Sequence, residues 1–345
     1  MKQHLLQIND LHTSFFSDRG EVKAVNGISF SLEAGRTIGI VGESGSGKSI
    51  TSLSIMKLLH GTSGKIKGGE ILFKGRDLLK LKESEMRQIR GNKISMIFQE
   101  PMTSLNPTMK IGEHIAESIR IHQNASRKAA WNQAIDMLDK VGIPSPKKRA
   151  SQYPFELSGG MRQRVMIAMA LASNPELLIA DEPTTALDVT IQAQILKLIK
   201  TLQVQTKAAM IMITHDLGVI AETCDDVAVM YCGKIVEYTD VVTLFKNPLH
   251  PYTKGLLASL PTHEVKKDKL EVIEGHVPSP YELPPGCAFE PRCPSATKVC
   301  SEKMPPLING SVRCIYADGI EQSVHTQTAI DADIFDNEKG GAETL

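Results

Sequence analysis

The stretch GESGSGKS, Gly42 to Ser49, constrains this chain more than any other. It follows a short apolar run, TIGIV at 37–41, and precedes the helix-like ITSLSIMKLL. A strand, a glycine-rich turn and a helix in that order supply the context that GxxxxGK[ST] requires of a phosphate loop. The glycines let successive backbone N–H groups converge on the β- and γ-phosphates. Lys48 adds a compact positive charge, and the Ser49 hydroxyl is an oxygen ligand suited to Mg²⁺. Gly42, Glu43, Ser44, Gly45, Ser46, Gly47 and the first-turn Ile50 are expected to surround the bound nucleotide.

Three more short apolar runs suit strands buried on both faces: KISMIF at 93–98, ELLIAD at 176–181 and AAMIMIT at 208–214. Helical patterns lie between them, such as TIQAQILKLIKTLQVQ at 190–205, so the expected fold class is α/β around a mostly parallel sheet. AVNGISFSLEAG near the N-terminus reads instead as an antiparallel strand and turn. Between Gln99 and Gly159 the spacing turns helical, which predicts a helical subdomain at about 100–165 inserted in a nucleotide-binding domain spanning 1–240. Prolines then become frequent, so 241–318 is expected to be a small, loop-rich appendage with little core. The polar, acidic residues 319–345 are expected to be disordered.

The 345 residues suffice for two or three domain-like units. Lys+Arg and Asp+Glu both number 39, which argues against a nucleic-acid binder relying on a broad basic field. No stretch approaches the roughly 20 apolar residues of a membrane span. A secretory leader is not evident either, so a cytosolic chain that meets any membrane through partners is expected.

Two strand ends carry further chemistry. Asp181 closes LLIADE, where a carboxylate can hold Mg²⁺ directly or through water. Glu182 follows, positioned to orient or deprotonate an attacking water. His215 in ITHD could reach a γ-phosphate, and Gln99 in SMIFQ could sense Mg²⁺ or water. A second anion site is suggested by LSGGMRQ at 157–163, where Ser158, Gly159 and Gly160 open the helical run VMIAMALA.

Taken in order, the glycine-rich loop, Gln99, LSGGM, the Asp181–Glu182 pair, ALD with Asp188, and His215 resemble the ATP-binding cassette ATPases over roughly 1–240. There the stretches correspond to the Walker A loop, Q-loop, signature, Walker B, D-loop and H-loop. The resemblance implies a P-loop NTPase core with an antiparallel β subdomain and a helical subdomain. It implies ATP and Mg²⁺ as cofactors, Lys48, Gln99, Glu182 and His215 as catalytic residues, and Ser49, Gln99 and Asp181 as Mg²⁺ ligands. It further implies head-to-tail pairing with a second cassette, in which LSGGM caps the γ-phosphate held by the partner's loop. An aromatic residue ahead of the loop stacks on adenine in this family; the spacing favours Phe15 over Phe16, with the other ring in the core.

HPYTKGLLASLP at 250–261 and PPGCAFEPRCPSATKVC at 284–300, together with FQEPMTSLNP and PTTALDVTIQAQIL, resemble the ATPase subunits of oligopeptide/dipeptide permeases over 3–316. That implies two transmembrane permease subunits docking near 100–117, an extracytoplasmic solute-binding protein acting indirectly, and a partner cassette that is a paralogue or a second copy. The chain would then lie peripherally on the cytoplasmic face of the membrane. Nickel and other small-solute importers share the cassette, and soluble ABC factors form a third reading. Cys287, Cys293, Cys300 and Cys314 are spaced C-x5-C-x6-C-x13-C. Four thiolates suit zinc or an iron–sulfur cluster, buried thiols remain open, and the spacing does not choose. The family resemblance favours [4Fe–4S] with a structural role. Cys224 and Cys232 lie in apolar stretches and read as inert thiols.

Overall fold

The computed structural model describes residues 4–100, 104–185, 187–260 and 272–317. Two compact units divide the chain, one ending at Ile235 and the other starting at Val236. The expected disordered tail, 319–345, lies outside the described residues, as do parts of the 100–117 segment and Ala186.

The first unit opens with two long strands, β1 (His4–Ser17) and β2 (Gly20–Glu33), paired antiparallel. After β3 (Thr37–Val41) and α1 (Lys48–Ile55), β4 (Gly64–Phe73) joins β1, and the short β5 (Arg76–Asp77) completes the sheet in the order β2-β1-β4-β5. Beyond α2 (Glu83–Ile89), β6 (Ile94–Ile97) returns to the core. Next come α3 (Ile111–Gln123), α4 (Arg127–Lys140), α5 (Pro146–Ala150) and α6 (Gly159–Leu171), the helical insertion. The chain then alternates through β7 (Leu177–Asp181), α7 (Val189–Thr206), β8 (Ala209–Thr214), α8 (Leu217–Thr223) and β9 (Asp226–Tyr231).

Within this unit the second sheet runs β9-β3-β8-β7-β6, and every pair with a recorded register is parallel. Residues of β3, β6, β7 and β8 are buried throughout, the burial that continuous apolar runs demand. Val41 lies opposite Thr214, Asp181 opposite Ile213 and Ile97 opposite Ala180. The residues that follow these strands, Gly42, Gln99, Glu182 and His215, therefore emerge at one carboxyl edge of the sheet, where open α/β sheets bind ligands.

Phe16 departs from its expected place in the core. It is 36% exposed, with the Lys65 and Lys67 ammonium groups 5.7 and 5.3 Å from its ring centroid. Register shifts in β1, one of them between Thr13 and Ser14, interrupt the regular pleat that the alternation rule assumes. Phe15 is half-buried against Gly64, where an added Cβ would fall 2.8 Å from the ring.

The second unit, entered through β10 (Lys234–Asp240), contains α9 (Val241–Lys246), α10 (Pro251–Ala258) and α11 (Lys298–Glu302). It has more core than its sequence suggests. Tyr252 and Phe289 are buried with ring centroids 5.3 Å apart, and Val312 and Ala317 pack with Leu249 and Ile308. These residues are scattered over more than sixty positions, so no local periodicity announces them. Buried Glu237 accepts the N–H groups of Leu249 and His250 at 2.8 Å each, anchoring the start of α10.

Candidate active site

Gly47 shows why the phosphate loop needs its glycines. Its φ is 102°, and a Cβ there would lie 2.3 Å from the Ala24 carbonyl oxygen. It caps α1, so Lys48 and Ser49 stand on the first turn, where backbone N–H groups and the helix dipole favour an anion. The Ser46 hydroxyl in the same loop is buried without a hydrogen-bond partner, a polar atom aimed at no protein group. Lys48 Nζ is buried and donates to the Gly42 and Glu43 carbonyls at 2.7 and 3.1 Å. Burial pulls its pKa down, while Glu182, Asp181 and Glu43 pull the other way.

The Ser49 hydroxyl donates to Asp181 Oδ1 at 2.9 Å, placing the two proposed Mg²⁺ ligands side by side. Ser52 belongs to no sequence pattern, yet its fully buried hydroxyl donates to Asp181 Oδ2 at 3.3 Å and to the Ser49 carbonyl at 2.7 Å. Burial raises the Asp181 pKa and the two serine hydroxyls oppose that shift. Hydroxyl and carboxylate oxygens are the hard donor set that Mg²⁺ prefers, so the residues present fit that ion.

Glu182 brings three sequence candidates together. Gln99 Nε2 donates to its Oε2 at 3.1 Å, and His215 Nδ1 lies 3.7 Å from Oε1. Its backbone has φ 44°, in the left-handed region, fixed by an N–H bond to the Ile213 carbonyl at 2.9 Å.

Ser158 stands at the N-cap of α6 and accepts the Met161 N–H at 3.4 Å. A Cβ at Gly160 would lie 2.8 Å from Ile191 Cγ2 on α7, so the half-exposed Ile191 side chain would have to shift, while at Gly159 it would meet only Leu187 at 3.8 Å. Asp188 caps α7, accepting the Ile191 N–H at 3.0 Å. One link escaped sequence reading: buried Gln163, one turn into α6, donates to the Pro183 carbonyl at 2.6 Å, tying the LSGGM helix to the Glu182 turn.

In the second unit, Cys287, Cys293, Cys300 and Cys314 line one small cavity with His250, Phe289 and Arg313. Burial pushes the Cys287 thiol up to about 11 and raises Cys293 and Cys314 as well. Among the described residues, no three His, Cys, Asp or Glu side chains converge closely enough to hold a single metal ion. Cys224 lies outside this cavity, and burial pushes its thiol up to about 12.

A phosphate loop whose serine meets a strand-ending Asp–Glu pair, and an LSGGM that caps a helix of the same unit, are the marks of an ATP-binding cassette ATPase. Residues 25–185 match the ABC transporter family model, and 236–300 match the model for the C-terminal region of oligopeptide/dipeptide transporters. The oligopeptide transport ATP-binding protein AppD of Bacillus subtilis (strain 168) is 52% identical over 325 residues, 92% of this chain and 99% of that one. OppD, an oligopeptide transport ATP-binding protein of the same organism, is 55% identical over 308 residues, covering 89% and 86%. Its dipeptide transport counterpart, DppD, is 52% identical over 303 residues, covering 88% and 90%. Among solved structures, a dimeric post-hydrolysis state of the cassette MJ0796 bound to ADP and Pi superposes with a TM-score of 0.62. It is 26% identical and covers 68% of this chain and 98% of its own. This chain belongs to the oligopeptide/dipeptide transporter family of ABC ATP-binding proteins.

Proposed function

We propose that this chain is the ATP-hydrolysing subunit of an ABC importer, coupling ATP turnover to the uptake of oligopeptides or dipeptides across the cytoplasmic membrane. One observation carries the reading: a complete ATPase edge is joined in one chain to the C-terminal region shared by oligopeptide/dipeptide transporters. Among the described residues no helix is long and apolar enough to cross a membrane. The transport path is accordingly assigned to two permease subunits, with a solute-binding protein outside and this chain peripheral on the inner face. Relatives named as oligopeptide and dipeptide transport proteins support the choice of solute.

Each residue has its task. Lys48 exchanges its carbonyl partners for the β- and γ-phosphate oxygens of ATP, and Ser46 gains a partner there. Ser49 and Asp181, with Gln99 alongside, would hold Mg²⁺, which supplies charge neutralisation on the phosphates. Glu182 orients the water and accepts its proton, and His215 faces the γ-phosphate. Phe15 stacks on the adenine. Ser158, Gly159 and Gly160 cap the γ-phosphate on a partner cassette, itself a paralogue or a second copy, and Asp188 lies beside that junction.

For the second unit we propose a structural [4Fe–4S] cluster on Cys287, Cys293, Cys300 and Cys314. Four thiols lining one cavity support a shared metal group there. The cavity measures only about 20 Å³, so a cluster would need its walls to part. Metal ligation replaces thiol protons, which removes the conflict between burial and thiolate charge.

The test is reconstitution in lipid vesicles with the cognate permease and binding protein. Peptide-loaded binding protein should raise ATP turnover and carry peptide into the lumen. Turnover indifferent to peptide but responsive to nickel, or a chain that purifies without permease subunits, would exclude the reading.

A further inference from the structure

Thr185 has been given no role so far, yet its hydroxyl donates to Glu182 Oε2 at 2.9 Å. Glu182 has two other neighbours, and both come from other strands: Gln99 follows β6, and His215 follows β8. Both are exposed side chains to which the proposed function gives work at Mg²⁺ and the γ-phosphate. A side chain occupied there is lost to Glu182. Thr185 has no such competing task. It sits in the same turn as Glu182, its N–H donating to the Glu182 carbonyl at 3.2 Å, so the backbones that carry hydroxyl and carboxylate are tied together.

We infer that Thr185 is a positioning residue for ATP hydrolysis: its hydroxyl occupies Oε2 of Glu182 and leaves Oε1 to face the attacking water. In that step a water O–H bond breaks and its proton passes to Oε1. The water oxygen forms a bond to the γ-phosphorus while the bond from that phosphorus to the β,γ-bridging oxygen breaks, releasing ADP and phosphate. A carboxylate free to rotate about its last torsion would spend much of its time with its plane turned away from the water, and misplaced groups cost rate rather than binding. The inference rests on Glu182 being the general base.

The experiment measures steady-state ATP hydrolysis by the full-length chain in its assembled complex. Thr185→Val keeps the shape and removes the hydroxyl; kcat should fall about ten- to a hundredfold, the range set by a hydrogen bond to a charged group. KM for ATP should stay within about twofold, since ground-state binding is untouched. Thr185→Ser should recover most of the lost kcat. If the valine variant fails to bind ATP, Thr185→Ala serves as the second hydroxyl-free form. Normal kcat in either hydroxyl-free variant, an equal loss in the serine variant, or a rise in KM alone would overturn the inference. Glu182→Gln separates the two failures. If it is inactive while Thr185→Val is fully active, only the role of Thr185 falls; if it remains active, the general base was misassigned.

Discussion

At φ 44° Glu182 holds a backbone conformation that a residue with a Cβ enters at some cost, and such positions persist where the surroundings fix them. Two backbone hydrogen bonds and three side-chain neighbours do so here. Glu182→Gln keeps that shape but cannot take a proton from water. Its hydrolysis should fall by about 10²–10⁴-fold, the usual loss for a general base. ATP affinity, measured by equilibrium binding of a fluorescent analogue, should remain within about twofold, because no ground-state contact is removed. Lys48 and Ser49 were legible in the sequence because their spacing on a strand–loop–helix frame is fixed, and Asp181 and Glu182 because they end an apolar strand. Ser52, Gln163 and Thr185 were not. Each acts through one hydroxyl or amide on a partner far away or in a turn, and a serine, glutamine or threonine carries no pattern that separates such a role from an ordinary surface.

Among the elements, α6 does two jobs with the same turn. Ser158 caps its own helix by accepting the Met161 N–H, and the same helix start is the proposed anion site for a partner's nucleotide. Ser158→Arg removes the cap, costing about 1 kcal/mol, too little to unfold the unit. It also places a long side chain where a phosphate must approach. The isolated variant should bind ATP normally yet fail to associate with a partner cassette when ATP is added, as read by size-exclusion chromatography in a Glu182→Gln background. Loss of ATP binding in a folded monomer would defeat the trans-site reading. The buried strands β3, β6, β7 and β8 could be read because apolar residues on both faces leave continuous runs. The bulged β1 and the glycine-bearing β4 gave no such run, and only the pairing in three dimensions reveals them.

On the scale of the whole molecule, the two units answer to different chemistry. The first is held by its sheets and helices. The second has a small aromatic core and four thiols around one cavity. Cys314→Ser should lower the iron content of anaerobically purified protein from about four atoms per chain to near zero and bleach its broad absorption around 400 nm, as expected for thiolate-bound iron. Proteolysis should then attack 280–316 first, while ATP binding by the cassette persists. Stoichiometric zinc without iron in the parent protein would reject the cluster. What the sequence could not convey about this unit was its packing, because Tyr252, Phe289 and Val312 meet only after the intervening loops close.

Gln163 grips the Pro183 carbonyl and not the carboxylate next to it. For lineages this separates two fates. A gene copy that loses the Glu182 carboxylate keeps this bond between signature helix and main chain, though it gives up the contacts of Gln99, Thr185 and His215 that also hold the turn. On the proposed roles of Glu182 and LSGGM, such a copy would no longer fire its own pocket but would still lend a half-site to its neighbour. Duplicated cassettes of this kind can therefore specialise one at a time, with one pocket falling silent while the other keeps turning over. Replacing Gln163 offers no such route, since it would loosen the half-site and the catalytic turn together.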